Sequence, residues 1–339
     1  MKSVDVAILG VSGTLGQEYV KLLSRHPFFR IRSVTGYTTV GKTLREVLEE
    51  DVPESIGDLE IQPTQPKKVD ADIVFSPLPN DVARKTEEEF AEAGFTVVTD
   101  ASPHRMDPDI PLIIPEVNPE QLSLLESQRK RSWDGVIVAT PNCTAVGVAI
   151  TLKPLEPFGI KSVVATTMQA LSGAGYPGVP SLDITDNLIP YISGEEEKVA
   201  SETNKILGRQ AQPIHFAVTA TRVPVIDGHT VSMHVELEEN VSPEDVEEEM
   251  SNFSGRPQEL RLPTAPEKPI ILLRHTNRPQ PRLDRNAGSV PGMSVSVGRI
   301  RRGLSDRSVQ YVHVSNNVIR GGAGGAILTA ELMVAEGFV

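Results

Sequence analysis

The sequence predicts an α/β protein in which a parallel sheet occupies roughly the first 140 residues. Short β-rich apolar runs alternate there with helical stretches, and this alternation is typical of a parallel sheet with helices on both faces. A glycine-rich turn joins the first apolar run to the first helical stretch. The chain has 339 residues, which is more than one hydrophobic core usually supports, so a second domain is expected.

The first predicted element is a strand at residues 4–9, which ends in a turn with glycines at positions 10, 13 and 16. A helix follows at residues 17–25 and ends at the His26-Pro27 pair. Between a strand and a helix, such glycines permit a tight turn, and the helix N-terminus then faces a pyrophosphate. The G-x-x-G-x-x-G spacing is a variant of the usual dinucleotide fingerprint, and an ordinary strand-to-helix turn is the alternative. The candidate cofactor-binding residues of this turn are Gly10, Ser12, Gly13, Thr14, Leu15 and Gly16.

The second predicted strand, residues 31–36, indicates which dinucleotide is bound. It ends without the Asp or Glu that binds a ribose 2′-hydroxyl and repels a 2′-phosphate. The next residues instead include Thr38, Thr39 and Lys42, whose hydroxyls and ammonium group suit a phosphate. We therefore expect NADP rather than NAD, the alternative being a solvated loop with incidental threonines.

The rest of the first domain continues the alternation. The predicted elements are, in order, a strand at 72–75, a helix at 80–93, a strand at 96–100, a helix at 119–130 and a strand at 135–139. Ser76, directly after one of these strands, is a further candidate for cofactor binding. Two segments, 43–68 and 255–290, have no clear pattern, and the second is expected to be a long surface excursion or an oligomer contact.

Composition and charge exclude several classes of function. The formal net charge of −12 and the aromatic content of 4% argue against a nucleic-acid partner. No apolar run approaches the roughly 18 residues of a membrane span, and the N-terminus has no signal-peptide pattern. A single cysteine permits neither an intramolecular disulfide nor a cysteine-based metal site. We expect a cytoplasmic protein that binds no metal, membrane or nucleic acid.

That cysteine, Cys143, follows the strand at 135–139 and a Pro141-Asn142 pair, and a helix begins at about Thr144. A helix N-terminus stabilises negative charge and lowers the pKa of a thiol. The amides of Cys143 and Thr144 would also stabilise an oxyanion formed beside the sulfur. A buried cysteine is more often a small apolar residue, but this turn, downstream of a dinucleotide fingerprint, favours a nucleophile. A nucleophilic thiol with a nicotinamide indicates oxidation of an aldehyde through a thiohemiacetal, or reduction of an acyl-thioester.

Such a site also needs an acid or base and groups that bind the substrate. The candidates are Gln169 in a glycine-rich loop, Glu195 and Lys198 on one helix face, and Arg222 and His229 around a glycine turn. Two of them have ordinary alternatives: Glu195 as a solvated acid at a helix start, and His229 as a surface histidine. His234, in the strand predicted at 231–237, is the rival base.

Seven segments carry a resemblance to a known family. They are GVSGTLGQ at the N-terminus, SPHRMDPDIPLIIPEVN, PNCTA, TMQALSGAGYPG, GEEEKV, RVPVIDGHT and, near the C-terminus, SNNVIRGGAGGAILTAELM. With these motifs in this order, the chain resembles the aspartate-semialdehyde dehydrogenases of the archaeal and fungal type across nearly all its length. Several independent motifs make this signal more specific than any one of them.

The resemblance implies a role for each matching residue. Cys143 matches the nucleophile and His229 the general acid/base of the family. The matches for substrate binding are Arg222 for the α-carboxylate, Glu195 for the amino group, Lys198 and Arg105 for phosphate, Gln169 for the acyl-enzyme and Asn142 beside the nucleophile. Asn317 matches an asparagine near the nicotinamide. These roles agree with the charges of a zwitterionic acyl phosphate.

The resemblance also implies the architecture. A Rossmann-type NADP-binding domain is expected at 1–140, completed by the C-terminal segment 319–339. An α+β catalytic and dimerisation domain with a mixed sheet is expected at 141–318. Homodimers or homotetramers are expected as well.

The implied reaction is the reversible, NADPH-dependent conversion of L-aspartyl 4-phosphate to L-aspartate 4-semialdehyde through a Cys143 thioester, in lysine, threonine and methionine biosynthesis. A malonyl-CoA or succinyl-CoA reductase with the same thiol chemistry is the nearest alternative. Glu195 argues against it, because CoA substrates carry no α-amino group. An N-acetyl-glutamyl-phosphate reductase would share the fold and the thiol chemistry, but its acetylated amine needs no carboxylate partner. A non-catalytic NADP-binding regulator would need the glycine fingerprint without the other site residues.

Overall fold

A computed structural model describes residues 3–48, 52–128 and 130–339. The chain divides into two units, of which the first comprises residues 1–113, 120–141 and 322–339, and the second comprises 114–119 and 142–321. These limits differ from the predicted ones mainly at residues 114–119, which the sequence places in the first domain. Glu116 in this segment forms a buried ion pair with Arg320 and lies directly against Gly255, so the segment packs within the second unit.

The first unit is built on a parallel sheet. Its strands are β1 (Val4–Ile8), β2 (Phe29–Gly36), β3 (Ile61–Pro63), β4 (Ile73–Ser76), β5 (Thr96–Thr99) and β6 (Val136–Ala139). They lie in the order β3-β2-β1-β4-β5-β6, and neighbouring strands are parallel. This is the strand order of dinucleotide-binding sheets, with its reversal between β1 and β4. The predicted fold of this part of the chain is confirmed.

The second unit is built on a mixed sheet, as expected. Its strands are β7 (Ile160–Gln169), β8 (His215–Arg222), β9 (His229–Leu237), β10 (Ile270–Leu273), β11 (Val295–Arg302) and β12 (Ser308–Ser315). The order is β10-β11-β12-β9-β7-β8. The two outer pairs, β10–β11 and β7–β8, are parallel, and the inner pairs are antiparallel.

Helices connect and cover these strands. In chain order they are α1 (Thr14–Leu23), α2 (Leu44–Val47), α3 (Glu54–Gly57), α4 (Asn80–Glu92), α5 (Leu125–Gln128), α6 (Cys143–Leu152), α7 (Ser181–Ile184), α8 (Glu195–Ile206), α9 (Pro243–Asn252), α10 (Arg256–Glu259), α11 (Pro281–Asp284) and α12 (Gly324–Ala335). α1, α4 and α12 pack on the first sheet, and α6 packs on β12 and α8. Among the described residues, no helix has both the length and the apolar composition that a membrane crossing demands.

Two predicted helices differ in the structure. α1 begins at Thr14, inside the glycine turn, rather than at residue 17. The helix predicted at 119–130 is instead a 3-10 helix, Pro119–Leu124, followed by α5, and its residue 129 lies outside the described residues. α5 ends where the Gln128 side chain turns to the sheet and bonds both backbone groups of Ile137, at 2.7 and 2.9 Å.

The segment 255–290 is not only a surface excursion. Its apolar residues Ile270–Leu273 form β10, which pairs with β11 at the edge of the second sheet. α10 and α11 lie on either side of this strand in the sequence. Four consecutive apolar residues are enough for an edge strand, although the surrounding Pro and Arg residues hide the pattern.

Candidate active site

Cys143 is the first residue of α6, after a turn that ends at Asn142. Asn142 caps the helix: its side-chain oxygen accepts hydrogen bonds from the amides of Thr144 at 2.9 Å and Ala145 at 3.1 Å. The Cys143 residue is half-buried. Gly321 packs so closely on it that a Cβ at Gly321 would lie 2.6 Å from the cysteine Cβ. The turn therefore presents the sulfur at a helix N-terminus, in a crowded position.

The sequence predicts that the amides of Cys143 and Thr144 stabilise an oxyanion, and for Thr144 the structure contradicts this. The Thr144 N–H already donates to Asn142 Oδ1 at 2.9 Å. The helix cap and an oxyanion would compete for the same donor. Of the two predicted amides, that of Thr144 is therefore already engaged in the helix cap.

His229 is the side chain that faces the sulfur. It is fully buried at the start of β9, and its Nε2 lies 3.2 Å from Cys143 Sγ. Its other ring nitrogen, Nδ1, accepts the backbone N–H of Ala170 at 3.1 Å. Burial above all, with the cation of Arg222 and the neighbouring His313, lowers the pKa of His229 to about 3. The ring is therefore neutral, and because Nδ1 is an acceptor, its proton lies on Nε2 and points at the sulfur.

His234, the rival base, does not face the thiol. It lies five residues after His229 on β9, and side chains an odd number of positions apart point to opposite faces of a strand. Its Nδ1 lies 3.2 Å from the side-chain amide nitrogen of Gln310 on β12.

Glu195 is the polar centre of the site. It follows Gly194, which has a left-handed φ of 67°, and only 7% of its surface is exposed. Its carboxylate accepts hydrogen bonds from Asn142 Nδ2 at 3.0 and 3.1 Å, from Thr144 Oγ1 at 2.9 Å and from Gln169 Nε2 at 2.9 Å. Glu195 is thus not a solvated acid at a helix start, and it joins α8 to α6 and to the end of β7.

Arg222 supplies a buried positive charge at the end of β8. Its Nη1 donates to the carbonyl oxygen of Ala170 at 2.7 Å. Burial lowers the pKa of Arg222, and the nearby Cys143 and Glu195 oppose that shift. Because a guanidinium stays protonated, this is a fixed cation beside the thiol and suits an anionic group.

The glycine-rich loop after β7 closes over this cation and over the imidazole. A Cβ at Gly173 would lie 2.9 Å from Arg222 Nη1 and 3.0 Å from His229 Cε1. The loop can approach both side chains only because residue 173 is a glycine. The structure brings together in the second unit the predicted site residues Asn142, Cys143, Gln169, Glu195, Arg222 and His229.

The two predicted phosphate ligands lie in different units. Lys198 is half-buried on α8, three residues after Glu195 and therefore on the same helix face. Arg105 belongs to the first unit and is buried, with its Nη2 donating to the Asp100 carbonyl at 2.6 Å.

Asn317, predicted to lie near a nicotinamide, belongs to the second unit. Its side-chain oxygen accepts the N–H of Gly228 at 2.9 Å, directly before His229 in the chain. Its Nδ2 donates to Ser172 Oγ at 2.8 Å. Asn317 thus joins the turn that precedes His229 to the glycine-rich loop.

The glycine turn between β1 and α1 fits the pyrophosphate of a dinucleotide. Gly10 has a φ of 66°, which favours glycine, and a Cβ at Gly16 would lie 2.6 Å from the Gly10 carbonyl oxygen. Gly13 caps α1 without a side chain. The turn lies at the carboxyl end of β1, next to β4, where such sheets bind dinucleotides. Of its other candidates, Thr14 is exposed, and Ser12 and Leu15 are half-buried.

The candidate residues for binding a ribose phosphate differ in their exposure to solvent. Thr38 and Lys42 are exposed after β2. Thr39 is half-buried, and its Oγ1 lies 2.6 Å from the point where Gly36 would carry a Cβ. The Thr39 hydroxyl therefore faces the protein, contrary to expectation.

Ser76 at the end of β4 is fully buried. Its hydroxyl donates to a carboxylate oxygen of Glu87 at 2.6 Å, and Thr99 Oγ1 donates to the same oxygen at 2.6 Å. The structure contradicts the prediction that the Ser76 side chain binds the cofactor, because its hydroxyl already donates a hydrogen bond to the buried Glu87 on α4.

Three buried residues beside the nucleophile helix are not among the predicted site residues. Glu202 on α8 accepts the backbone N–H of Asn142 at 2.6 Å. His313 and Ser315 on β12 pack against Gly147 of α6, where a Cβ would lie 2.7 Å from the imidazole and 3.1 Å from Ser315 Cβ. In β12, polar residues that alternate onto a buried face beside Val309 and Tyr311 are the signal for His313 and Ser315. The buried residues of α8 are mostly polar, so Glu202 has no such signal.

Comparison with known proteins gives concordant similarities. Residues 5–125 match the NAD binding domain of semialdehyde dehydrogenase, and residues 152–320 match its dimerisation domain. The chain is 50% identical to an aspartate-semialdehyde dehydrogenase of Archaeoglobus fulgidus over 98% of both chains. It is 44% identical to a malonyl CoA reductase (NADP) of Metallosphaera sedula, over 100% of this chain and 99% of that protein. The crystal structure of aspartate semialdehyde dehydrogenase with NADP from Candida albicans matches with a TM-score of 0.91 at 36% identity, over 100% of both chains.

Proposed function

The chain belongs to the semialdehyde dehydrogenase family, and from this premise we propose that it acts on aspartate semialdehyde. The reaction is the reversible, NADPH-dependent conversion of L-aspartyl 4-phosphate to L-aspartate 4-semialdehyde and phosphate. The observation that carries the proposal is the 3.2 Å contact between Cys143 Sγ and His229 Nε2, beside the buried charges of Glu195 and Arg222.

The charges of the site match those of the substrate. Arg222 binds the α-carboxylate, for which a guanidinium offers paired donors. Glu195 binds the α-amino group, and Lys198 and Arg105 bind the phosphate. Gln169 orients the acyl group, since its amide is already fixed by the bond to Glu195 at 2.9 Å.

Cys143 and His229 carry the covalent steps. The Cys143 thiolate attacks the carbonyl carbon of the acyl phosphate, and the carbon–oxygen bond to phosphate breaks as the thioester forms. NADPH, when bound, supplies the hydride that reduces the thioester. The oxyanion that then develops accepts a hydrogen bond from His229 Nε2–H, which replaces the occupied Thr144 amide as donor. Collapse of the oxyanion breaks the carbon–sulfur bond and returns the thiolate.

NADP is the proposed cofactor. The glycine turn suits a pyrophosphate, and the exposed Thr38 and Lys42 after β2 suit a 2′-phosphate. The Candida albicans structure, at a TM-score of 0.91, was solved with NADP and supports this choice.

A second candidate activity is the reduction of malonyl-CoA, which a relative at 44% identity favours. Glu195 separates the two activities less well than the sequence suggests. It has a structural purpose without any amino group, because it binds Asn142, Thr144 and Gln169. The relative of higher identity, an aspartate-semialdehyde dehydrogenase at 50%, supports the first activity over the second.

The deciding experiment measures NADPH absorbance in two reactions. The proposal expects NADPH formation from aspartate semialdehyde, phosphate and NADP, and at most weak NADPH consumption with malonyl-CoA. Cys143→Ser should lose nearly all turnover and still bind NADPH, since the cofactor turn lies in the first unit. The opposite substrate preference, or near-wild-type turnover by Cys143→Ser, would reject the proposal.

The proposal extends to the setting of the enzyme. We place it in the cytoplasm, at the step that supplies lysine, threonine and methionine biosynthesis, as a homodimer or homotetramer. The family model that matches residues 152–320 is a dimerisation domain, which supports the oligomer. Light scattering on the purified protein measures its mass, and a mass near the 36.8 kDa monomer would reject this part.

A further inference from the structure

Glu202 is a buried acid that the reaction above does not use. It lies on α8 seven residues after Glu195, so both side chains project from the same face of the helix. It is 2% exposed. One of its oxygens, Oε2, accepts the backbone N–H of Asn142 at 2.6 Å. This is a short, charge-assisted hydrogen bond to the residue directly before the nucleophile.

Asn142 is consequently held at two points by one helix. Glu202 binds its backbone N–H, and Glu195 binds its side-chain nitrogen at 3.0 and 3.1 Å. The remaining polar atom of the side chain, Oδ1, caps α6 through Thr144 and Ala145. The backbone and side chain of the N-cap are therefore fixed together, and the direction in which Cys143 leaves the cap is fixed with them.

The bond from Glu202 completes a motif that α6 cannot complete alone. In a capping box, an acidic or amide side chain three residues after the N-cap accepts the N-cap N–H. In α6 that position is Ala145, which is fully buried and has no acceptor. Glu202 supplies the acceptor from α8 instead. A cap completed by a second helix couples the position of the thiol to α8, the same helix that carries Glu195 and Lys198.

We infer that Glu202 is a positioning residue for the nucleophile. Through Asn142 it holds Cys143 Sγ at 3.2 Å from His229 Nε2. Its effect depends on a hydrogen-bond acceptor at the correct reach, and the negative charge alone is not sufficient. The inference rests on the proposed function for its effect on turnover, and it has a separate readout in the reactivity of the thiol.

Three variants of Glu202 distinguish the effects of side-chain length, of a hydrogen-bond acceptor and of negative charge. Glu202→Gln keeps the length and an acceptor oxygen, Glu202→Asp keeps the charge but is one methylene shorter, and Glu202→Leu removes the acceptor. Misplacement of a reacting atom by about 1 Å costs roughly 100-fold in rate. We expect kcat to fall about 10- to 100-fold in Glu202→Asp and Glu202→Leu, with KM nearly unchanged, and to fall less than about threefold in Glu202→Gln. Glu197→Leu, on an exposed face of the same helix, is the matched control and should keep wild-type kcat.

The second readout is the rate at which iodoacetamide alkylates Cys143, the only cysteine of the chain. It needs no substrate, so it distinguishes failure of this inference from failure of the proposed function. The expected order is wild type and Glu202→Gln fastest, and Glu202→Asp and Glu202→Leu slower by about tenfold. Equal alkylation and kcat in Glu202→Asp and wild type would overturn the inference, and so would a Glu202→Gln variant as impaired as Glu202→Asp. If Glu202→Leu fails to fold, the Asp and Gln variants still decide.

Discussion

At the residue scale, Glu195 has two tasks that a substitution would separate. It is proposed to bind the substrate ammonium, and it also accepts hydrogen bonds from Asn142, Thr144 and Gln169. In Glu195→Gln, the new amide nitrogen would face these donors instead of accepting from them. We expect KM for aspartate semialdehyde to rise at least about tenfold, because a charge-assisted bond is lost, and kcat to fall as well.

Steady-state kinetics of Glu195→Gln with two substrates checks this. Phosphate, the other substrate of the assayed direction, has no ammonium group, so its KM should change much less than that of aspartate semialdehyde. Glu197→Gln, at an exposed position on the same helix, is the control. Equal changes of KM for both substrates would show that Glu195 is structural only.

His229 has a protonation state set by its surroundings. Burial is the main cause that lowers its pKa to about 3, and Arg222 and His313 act in the same direction. The folded-state pKa is depressed below the ordinary 6.5, so the ring should remain neutral from pH 8 down to at least pH 5. NMR of protein labelled on the histidine ring measures this directly. A His229 titration midpoint between pH 5 and 8 in the unliganded enzyme would contradict the neutral, Nε2-protonated ring.

At the scale of elements, α6 rests on a polar stripe of the second sheet. Cys143 faces His229, Gly147 faces His313 and Ser315, and the hydroxyl of Thr151 accepts from that of Tyr311 at 3.2 Å. In the described part of the chain, both ring nitrogens of His313 lack a hydrogen-bond partner.

Replacing a helical glycine with alanine usually stabilises a protein by about 1 kcal/mol. At Gly147 the added methyl would lie 2.7 Å from the His313 ring, so we expect Gly147→Ala to destabilise instead.

The expected cost of Gly147→Ala is about 1–3 kcal/mol, as for other overpacked cores. Denaturant unfolding of the single and double variants measures it. If the clash with the ring is the cause, Gly147→Ala should cost much less in a chain that also carries His313→Ala, since the space is then free. A stabilised Gly147→Ala variant would show that the helix moves away from β12 easily.

Elements whose signals are local were predicted from the sequence, and contacts between distant elements were not. The run at residues 4–9 and the glycines after it predict β1, the turn and α1 because strand, turn and helix are consecutive. The contacts of Glu202 and His313 could not be predicted, because their partners are distant in the sequence. Glu202 binds the N-cap of α6, 60 residues away, and His313 packs against Gly147 of α6. The prediction that the Thr144 amide binds an oxyanion was wrong for a related reason. A helix N-terminus predicts free amides, but the side chain of the N-cap residue accepts hydrogen bonds from some of them.

At the scale of the whole molecule, we expect the stability of the two units to depend on pH in opposite directions. In the first unit, burial is the main cause that raises the pKa of Glu87 to about 7 and that of Asp100 to about 6. Between pH 4.5 and 7 folded Glu87 keeps a proton that the unfolded chain loses, so stability falls as the pH rises. In the second unit, burial lowers the pKa of His229 and His313 to about 3. There the unfolded chain gains protons below pH 6.5 that the folded unit excludes, so stability falls as the pH decreases.

The first half of this contrast is testable with Trp133, the only tryptophan of the chain, which belongs to the first unit and stacks on Arg131 at 4.8 Å. We expect the unfolding midpoint followed by its fluorescence to fall from pH 5 to pH 8. His104 acts against this slope, since burial lowers its pKa.

Glu87→Gln should flatten that slope and raise stability at pH 8 by on the order of 1–3 kcal/mol relative to wild type. The amide oxygen can still accept the hydroxyls of Ser76 and Thr99, and the amide nitrogen can donate to His104 Nε2, which lies 3.4 Å from the present Glu87 Oε2. Glu89→Gln, on an exposed part of α4, is the matched control and should keep the wild-type slope. If Glu87→Gln and wild type lose stability equally between pH 5 and 8, Glu87 is ionised throughout that range and the pH dependence of the first unit has another source.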